Sequence, residues 1–437
     1  MIKQYRIDEA LQTILLRKPI LDQQYPATLI ERTEALFGAG VTPPGAVQRI
    51  IASIRSQGDA ALLHWSQVLD RKTLNSLVVE SEALEAAYQA LPKELIDALQ
   101  LASERIRQFH QHQPIPSWQT TSMGGVVGQR FTPIDRVGVY VPGGTAPLPS
   151  SLLMSVILAQ VAGVQEIIVC TPPNPHPAIL AAAHLCNLQK VYTVGGAQAI
   201  AAMAFGTETI PKVDKIVGAG NLFVTLAKQQ VFGVVGLDGL AGPTETMIIA
   251  DQTANPAWVA ADLLAQAEHD LLASAILLTP DKNLADAVQV EVARQLETLS
   301  RADLIAQSLQ NQGGIVLTPD LPTAAQLANQ YAPEHLCLAV EKPQELANLI
   351  RHSGGLFFGE FSFEVLGDYV AGPSHVMPTS GTARFASPLN VLDFVKLNSI
   401  IQLDADTGKQ LSRAAAEIAQ AESLSAHAAA AIKRRDA

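Results

Sequence analysis

The chain has 437 residues, of which 48% are hydrophobic and only 16% charged, and its 30 Lys and Arg against 41 Asp and Glu leave a formal net charge of −11. At roughly 100–200 residues per domain this is two to four globular domains with large cores, and a peptide-sized or disordered chain is excluded. Coating of duplex nucleic acid is excluded too, because it needs clustered cations, and the only basic run is Lys433-Arg434-Arg435 at the extreme end.

Residues 1–18 mix Lys3, Arg6, Asp8, Glu9 and Arg17 among apolar positions, so they lack the uninterrupted core of a secretory signal and read as a short amphipathic helix of a cytoplasmic protein. Segments 43–70 and 81–111 read as mostly helical, with Pro43 and Pro44 near a start and Gln113-Pro114-Ile115-Pro116 as a stop. Between Arg136 and Glu208 the only charged residues are Glu166 and Lys190, which marks deep burial. Prolines and glycines cut this stretch too often for a membrane span.

Within it, short β-branched runs end in Gly or Pro clusters and lead into Ala- and Leu-rich segments. The pattern predicts strands at 137–141, 167–170, 191–194 and 215–217, with helices near 150–162, 177–187, 197–205 and 221–231. A second series follows: strands at 246–250, 275–278, 315–317, 336–340 and 356–358, with helices near 256–268, 284–298, 321–330 and 343–351 between them. Alternation of strands and helices implies an α/β protein with parallel sheets covered on both faces, whose strands are continuously apolar. Ligands bind such sheets beyond the carboxyl ends of the strands. The Ala-rich tail, 407–435, reads as helical. Cys170, Cys186 and Cys337 form no Cys-x-x-Cys pair, which excludes a thiolate zinc knuckle and fits a reducing compartment.

Several polar motifs punctuate this frame. No Gly-x-Gly-x-x-Gly occurs, since Gly218-Ala219-Gly220-Asn221-Leu222-Phe223 ends in Phe, and no Walker lysine motif appears. Gly195-Gly196-Ala197-Gln198 and Gly218-Ala219-Gly220-Asn221 nevertheless each follow a strand and open a helix, where backbone N–H groups either face an anion or simply form the turn. Gln266 and His269, three apart at a helix end, share a face that could hold one metal ion or be ordinary terminal polarity. Glu334-His335 enters a buried strand from a loop, where two acid–base groups are costly as mere packing unless the entrance is solvated. Asp368 and His375, in Gly367-Asp368-Tyr369-Val370-Ala371-Gly372-Pro373-Ser374-His375, add two more metal or proton groups beyond the last strand. Glu422 and His427 are five apart, roughly 140° on an ideal helix, so they share a site only if the helix breaks or a second chain supplies it.

The order and spelling of these motifs resemble the histidinol dehydrogenase family, from about Val137 to the tail. The strings that carry the likeness are Val139-Tyr140-Val141-Pro142-Gly143-Gly144-Thr145-Ala146-Pro147-Leu148-Pro149-Ser150, Val194-Gly195-Gly196-Ala197-Gln198-Ala199-Ile200-Ala201, Ala241-Gly242-Pro243-Thr244-Glu245, Gln266-Ala267-Glu268-His269, Ala332-Pro333-Glu334-His335-Leu336, Gly367-Asp368-Tyr369 and Gly381-Thr382-Ala383-Arg384-Phe385.

The resemblance implies a cytoplasmic, NAD-dependent homodimer with one zinc ion per subunit and shared active sites. It would oxidise L-histidinol through L-histidinaldehyde to L-histidine at the end of histidine biosynthesis, without nucleic-acid or membrane partners. It implies two Rossmann-like domains without the glycine fingerprint. Carried over by motif, Tyr140, Gln198 and Asn221 would contact NAD. Gln266, His269, Asp368 and His427 would ligate zinc, the last from the partner's tail. Thr244, Glu422 and His335 would join those ligands in holding substrate, and Glu334 and His335 would transfer protons. The implied layout is a helical extension at 1–32, a larger α/β domain of 33–136 plus 246–380 bearing the zinc and acid–base residues, an NAD-side domain at 137–245, and a helical tail at 381–437 that packs across the dimer.

Some positions depart from the family pattern. Thr244 stands where Ser is common, Leu237-Asp238-Gly239-Leu240 replaces a proline-bearing approach, and Phe363 and Leu271 stand where Pro is frequent. The alternative these raise is a paralogous NAD-dependent dehydrogenase of another amino alcohol or a sulfonated diol. Retention of Glu422 and His427 favours histidinol.

Overall fold

A computed structural model describes residues 2–17, 25–143 and 147–436. Gly144, Thr145 and Ala146 of the Pro-Gly-rich string, and Lys18 at the end of the expected N-terminal helix, lie outside the described residues.

Both series of strands form parallel-rich sheets. The first runs in the order Val78–Glu80, Lys190–Tyr192, Glu166–Cys170, Arg136–Tyr140, Lys215–Val217, Gly236–Leu237, parallel except for the antiparallel edge strand Val78–Glu80. The charge-poor stretch is apolar because it is enclosed. Helix Pro149–Ala162 starts with Pro in its first turn, stops at the left-handed Gly163, and buries residues around its whole circumference.

The enclosure is completed by helices from the upstream segment. Helices Pro43–Leu69, Ser81–Ala90 and Lys93–Gln111 pack on the first sheet's helices, not with the second sheet. Val47, Ile50 and Ile54 lie in one core with Ile200, Met203 and Ile216, and Leu84, Leu99 and Ile106 lie in another with Val139, Leu153 and Ile157. Helices as apolar as 149–162 cannot face water, so this sheet needs a second helical layer, which the upstream segment supplies.

The second sheet is fully parallel, in the order Gln4–Tyr5, Gly314–Leu317, Ser274–Thr279, Glu245–Ala250, His335–Ala339, Gly355–Phe358. Its first member corrects the reading of residues 1–18 as one helix. Ile2 and Tyr5 are buried, Ile315 N donates to Lys3 O at 2.9 Å, and helix Ile7–Gln12 follows only after this edge pairing. Helix Ala302–Gln312, between the expected helices, was not anticipated.

A third sheet, also unanticipated, is antiparallel: Val395–Leu403, Gly125–Pro133, Trp118–Thr120. It leads into the tail, which is two helices, Ala405–Ala421 and Ser425–Arg435, packed mainly on each other. Leu411, Ile418 and Leu424 of this hairpin are exposed. Among the described residues no helix is long and apolar enough to cross a membrane.

Candidate active site

Strands Glu245–Ala250 and His335–Ala339 lie side by side with Thr246 opposite His335, so the Glu334-His335 pair sits at the amino edge of the second sheet. Helix Leu321–Tyr331 ends at Ala332 in the left-handed conformation, φ +53°, and the chain then turns inward through Pro333. The strand entrance is not solvated: Glu334 is 6% exposed and His335 3%. One residue holds both. Glu334 Oε2 accepts from Glu245 N at 2.9 Å and from Thr244 Oγ1 at 2.6 Å, while Glu245 O lies 3.1 Å from His335 Nδ1. A carbonyl only accepts, so Nδ1 carries a proton and Nε2 is left as the working nitrogen. Nε2 is buried with no hydrogen-bond partner among the described residues, 3.6 Å from Asp368 Oδ1.

Burial pushes the Glu334 carboxyl up to about 7, against the pull of His335, Thr244 Oγ1 and Glu245 N. Burial alone would lower the His335 imidazole, but Glu364, Glu334 and Asp368 surround it and raise it well above its ordinary value. Glu364, whose importance the sequence reading missed, is 3% exposed, lies 3.9 Å from His335 Nδ1 and accepts from Thr246 Oγ1. Burial pushes it up to about 7. Its signal in the sequence was its spacing, four residues before Asp368 on helix Glu364–Tyr369, which puts both carboxylates on one face.

Of the expected ligand positions, Asp368 and His269 are near enough to this pair for their charges to act on one another. Gln266 on helix Pro256–Ala267 is fully buried, and among the described residues neither Oε1 nor Nε2 has a partner. An amide stranded in this way costs free energy and points to a missing ligand. His269 lies just beyond that helix; partial desolvation lowers its basicity, and the charge of Asp368 works to raise it. Asp368 is held below the usual carboxylate range, despite burial, by His335, His375 and His269. Glu422 and His427 are not brought to these residues within one chain. Both are exposed on the tail, where the helix breaks between them. Among the described residues, no three His, Cys, Asp or Glu side chains of one chain form a metal-sized group.

The other sheet contributes its carboxyl edge. The Tyr140 hydroxyl, at the end of Arg136–Tyr140, accepts from Gly196 N at 3.0 Å. Gln198 is buried, donates from Nε2 to Asp70 Oδ2 at 3.3 Å and leaves Oε1 without a partner among the described residues. Asn221 caps helix Leu222–Val231, its Oδ1 accepting from Phe223 N and Val224 N, so turn chemistry already accounts for that side chain. Gly218 must be glycine: its φ is +106°, and a Cβ there would lie 2.2 Å from Tyr140 O. His375 joins the two edges, with Nδ1 2.7 Å from Asp368 O and Nε2 3.1 Å from Ser151 Oγ on helix Pro149–Ala162. The candidate site therefore lies between the carboxyl edge of one sheet and the amino edge of the other.

A family model described as histidinol dehydrogenase matches residues 42–435. Histidinol dehydrogenase of Dehalococcoides mccartyi strain CBDB1 is 50% identical over 409 residues, covering 92% of this chain and 93% of the relative. The chain belongs to the histidinol dehydrogenase family. A second relative of that name, from a Synechococcus strain, is 50% identical over 87% of this chain and 90% of its own length. The crystal structure of histidinol dehydrogenase from Elizabethkingia anophelis superposes with a TM-score of 0.91 at 35% identity, covering 100% of this chain and 98% of the other.

As departures within a histidinol dehydrogenase, the unusual positions are accommodated. Thr244 keeps the hydroxyl that donates to Glu334. Phe363 precedes helix Glu364–Tyr369 in an extended conformation that any residue adopts, φ −83° and ψ 160°. Leu271 is exposed. Asp238 is an ion-pair partner for Lys228.

Proposed function

We propose that Glu334 and His335 carry the proton transfers by which this member of the histidinol dehydrogenase family, an oxidoreductase of the last step of histidine biosynthesis, oxidises L-histidinol through L-histidinaldehyde to L-histidine. The observation that carries this reading is the buried pair itself, fixed by the two peptide groups of Glu245.

Bound NAD supplies the hydride acceptor, twice per turnover. A zinc ion, which the unpaired amide of Gln266 fits, would be held by Gln266, His269 and Asp368 with the partner's His427, and would supply a Lewis-acid anchor for the substrate's imidazole and amine. Tyr140, Gln198 and Asn221, at the carboxyl edge of the first sheet, would face NAD. Thr244 and the partner's Glu422 would help hold substrate in a homodimer with shared sites; the outward apolar face of the tail hairpin supports that arrangement.

In the first oxidation His335 Nε2 takes the hydroxyl proton as hydride leaves the adjacent carbon. A cation held at Asp368 would draw off part of the negative field that raises His335, and so would bring the imidazole toward the range of a proton acceptor. For the second oxidation the aldehyde must add water. Glu334, raised to about 7 by burial, is poised to accept a proton from that water, and the hydrated carbon then gives up its hydride. Burial of both groups excludes bulk water, which keeps their proton transfers directed at the bound substrate.

The test is stoichiometric. Zinc-supplied protein with L-histidinol and NAD forms two NADH per L-histidine, and Glu334→Gln and His335→Asn abolish turnover while zinc remains bound. Turnover only with a different amino alcohol or a diol, or retained turnover in either variant, overturns the proposal.

A further inference from the structure

We infer that Arg17, in the N-terminal arm, is a positioning residue for the acid–base pair of the active site. The inference rests on the reading that Glu334 and His335 carry the proton transfers.

Arg17 follows the edge strand Gln4–Tyr5 and helix Ile7–Gln12, which dock the arm on the second sheet. Four of its five guanidinium N–H groups are engaged. It forks onto Glu245, with Nη2 2.7 Å from Oε2 and Nη1 on Oε1. Nε donates to Tyr331 O at 3.0 Å, Nη2 reaches Ala332 O at 3.5 Å, and the planar group stacks 3.5 Å from the centre of the Tyr331 ring.

These contacts grip both segments that present the chemistry. Glu245 is 5% exposed, and it is this residue whose N–H donates to Glu334 and whose carbonyl meets His335 Nδ1. Tyr331 and Ala332 end the helix from which the chain turns, through the left-handed Ala332, into Pro333 and Glu334. Without Arg17, a buried carboxylate loses its only ion-pair partner among the described residues and keeps just the Ser380 N–H at 3.1 Å, and two helix-end carbonyls lose a donor. Glu245 then has reason to move toward water, and its peptide groups would carry Glu334 and His335 with it. Lysine cannot replace the fork, because an ammonium lacks the planar, bidentate geometry that serves the carboxylate and the carbonyls together. Arg17 touches none of the reacting groups, and it lies outside residues 42–435 that the family model matches.

The test uses the full chain with zinc, L-histidinol and NAD. Arg17→Ala is expected to lower kcat about tenfold or more, with both KM values within about threefold of wild type. Added guanidinium ion should restore part of the lost kcat in Arg17→Ala but not in Arg17→Lys, where the lysine side chain fills the space. Lys3→Ala, which removes an exposed ion pair of the same arm, should leave kcat unchanged. Wild-type kcat in folded Arg17→Ala, a loss that only tracks the unfolded fraction at the assay temperature, or no response to guanidinium overturns the inference. Should Arg17→Ala not fold, Arg17→Lys decides: a folded protein with wild-type kcat overturns it, and one with kcat reduced at unchanged KM supports it. Retained turnover in Glu334→Gln or His335→Asn would instead sink the acid–base reading itself.

Discussion

Lys228 Nζ lies 2.5 Å from Asp238 Oδ1, and both side chains are buried, at 3% and 8% exposed. The pair is a clamp on the loop that opens helix Leu222–Val231: Lys228 Nζ also donates to Gly218 O at 2.9 Å, and Gly218 N donates to Asp238 Oδ2 at 2.7 Å. Lys228→Met leaves Asp238 as a buried unpaired carboxylate and should cost about 3–5 kcal/mol. The double variant Lys228→Met/Asp238→Leu should recover most of that loss. Denaturant unfolding of the three proteins checks it, and the KM for NAD should rise in the single variant because the Gly218 loop loses its anchor.

Much of this frame was legible in the sequence, for a physical reason. Strands buried on both faces, such as Arg136–Tyr140 and Glu245–Ala250, must be continuously apolar, and the Gly-rich loops that follow the first series interrupt that pattern sharply. The third sheet gave no such signal. Val395–Leu403 is mostly exposed, and its partner strand, with Arg130 opposite Asn398, is remote in the chain, so nothing local specifies the pairing. The site divides in the same way. Glu334 and His335 stand out because a charged pair inside an apolar run needs a reason. Glu245 and Arg17 do not, since their importance lies in contacts between segments far apart in sequence. Asp238, visible only as a missing proline, acquires meaning once Lys228 is seen beside it.

Asp262 lines a small cavity with Cys337 and Glu360, and burial, aided by the charge of Glu360, pushes its carboxyl up to about 7. Its folded-state value is therefore above the unfolded one, and between about pH 4 and 7 the folded protein binds the extra proton. Stability from this group is fully present below pH 4 and falls as pH rises through 7. Asp262→Asn removes the burden of a buried charge. At pH 8 it should be more stable than wild type by about 1–2 kcal/mol, after allowance for partial exposure of the site. The difference should vanish near pH 4. Thermal unfolding of both proteins at the two pH values gives the comparison, and an equal gap at both would point away from Asp262 titration.

The tail makes a different prediction, because Glu422 and His427 are exposed while Gln266 is buried in the same chain. If a second copy completes each site, His335→Asn and His427→Ala are each inactive alone but complement one another. In a mixed dimer, the subunit carrying His427→Ala keeps its own His335 and receives an intact His427 from its partner. The other site has both defects. Random reassortment of equal amounts makes half of the dimers mixed, each with one working site, so about a quarter of wild-type activity should return. Activity regained after co-refolding, measured against unmixed controls, tests this. No recovery, with dimers formed, would mean that His427 does not act across subunits.

Gln266 offers the sharpest separation of metal binding from folding. Neither polar atom of its buried amide has a partner among the described residues, so in metal-free protein the side chain is a liability. Gln266→Met fills similar volume without stranded polar atoms, and metal-free protein should be equally stable or up to about 1–2 kcal/mol more stable. Zinc should act in the opposite sense. A ligand that binds only the folded state stabilises it by RT ln(1 + [L]/Kd), so a loss of about tenfold to a hundredfold in zinc affinity should shrink the zinc-induced rise in thermal midpoint. For this one substitution the metal-free midpoint therefore holds or rises while its zinc increment falls. A residue present only for packing would lower the first and leave the second unchanged.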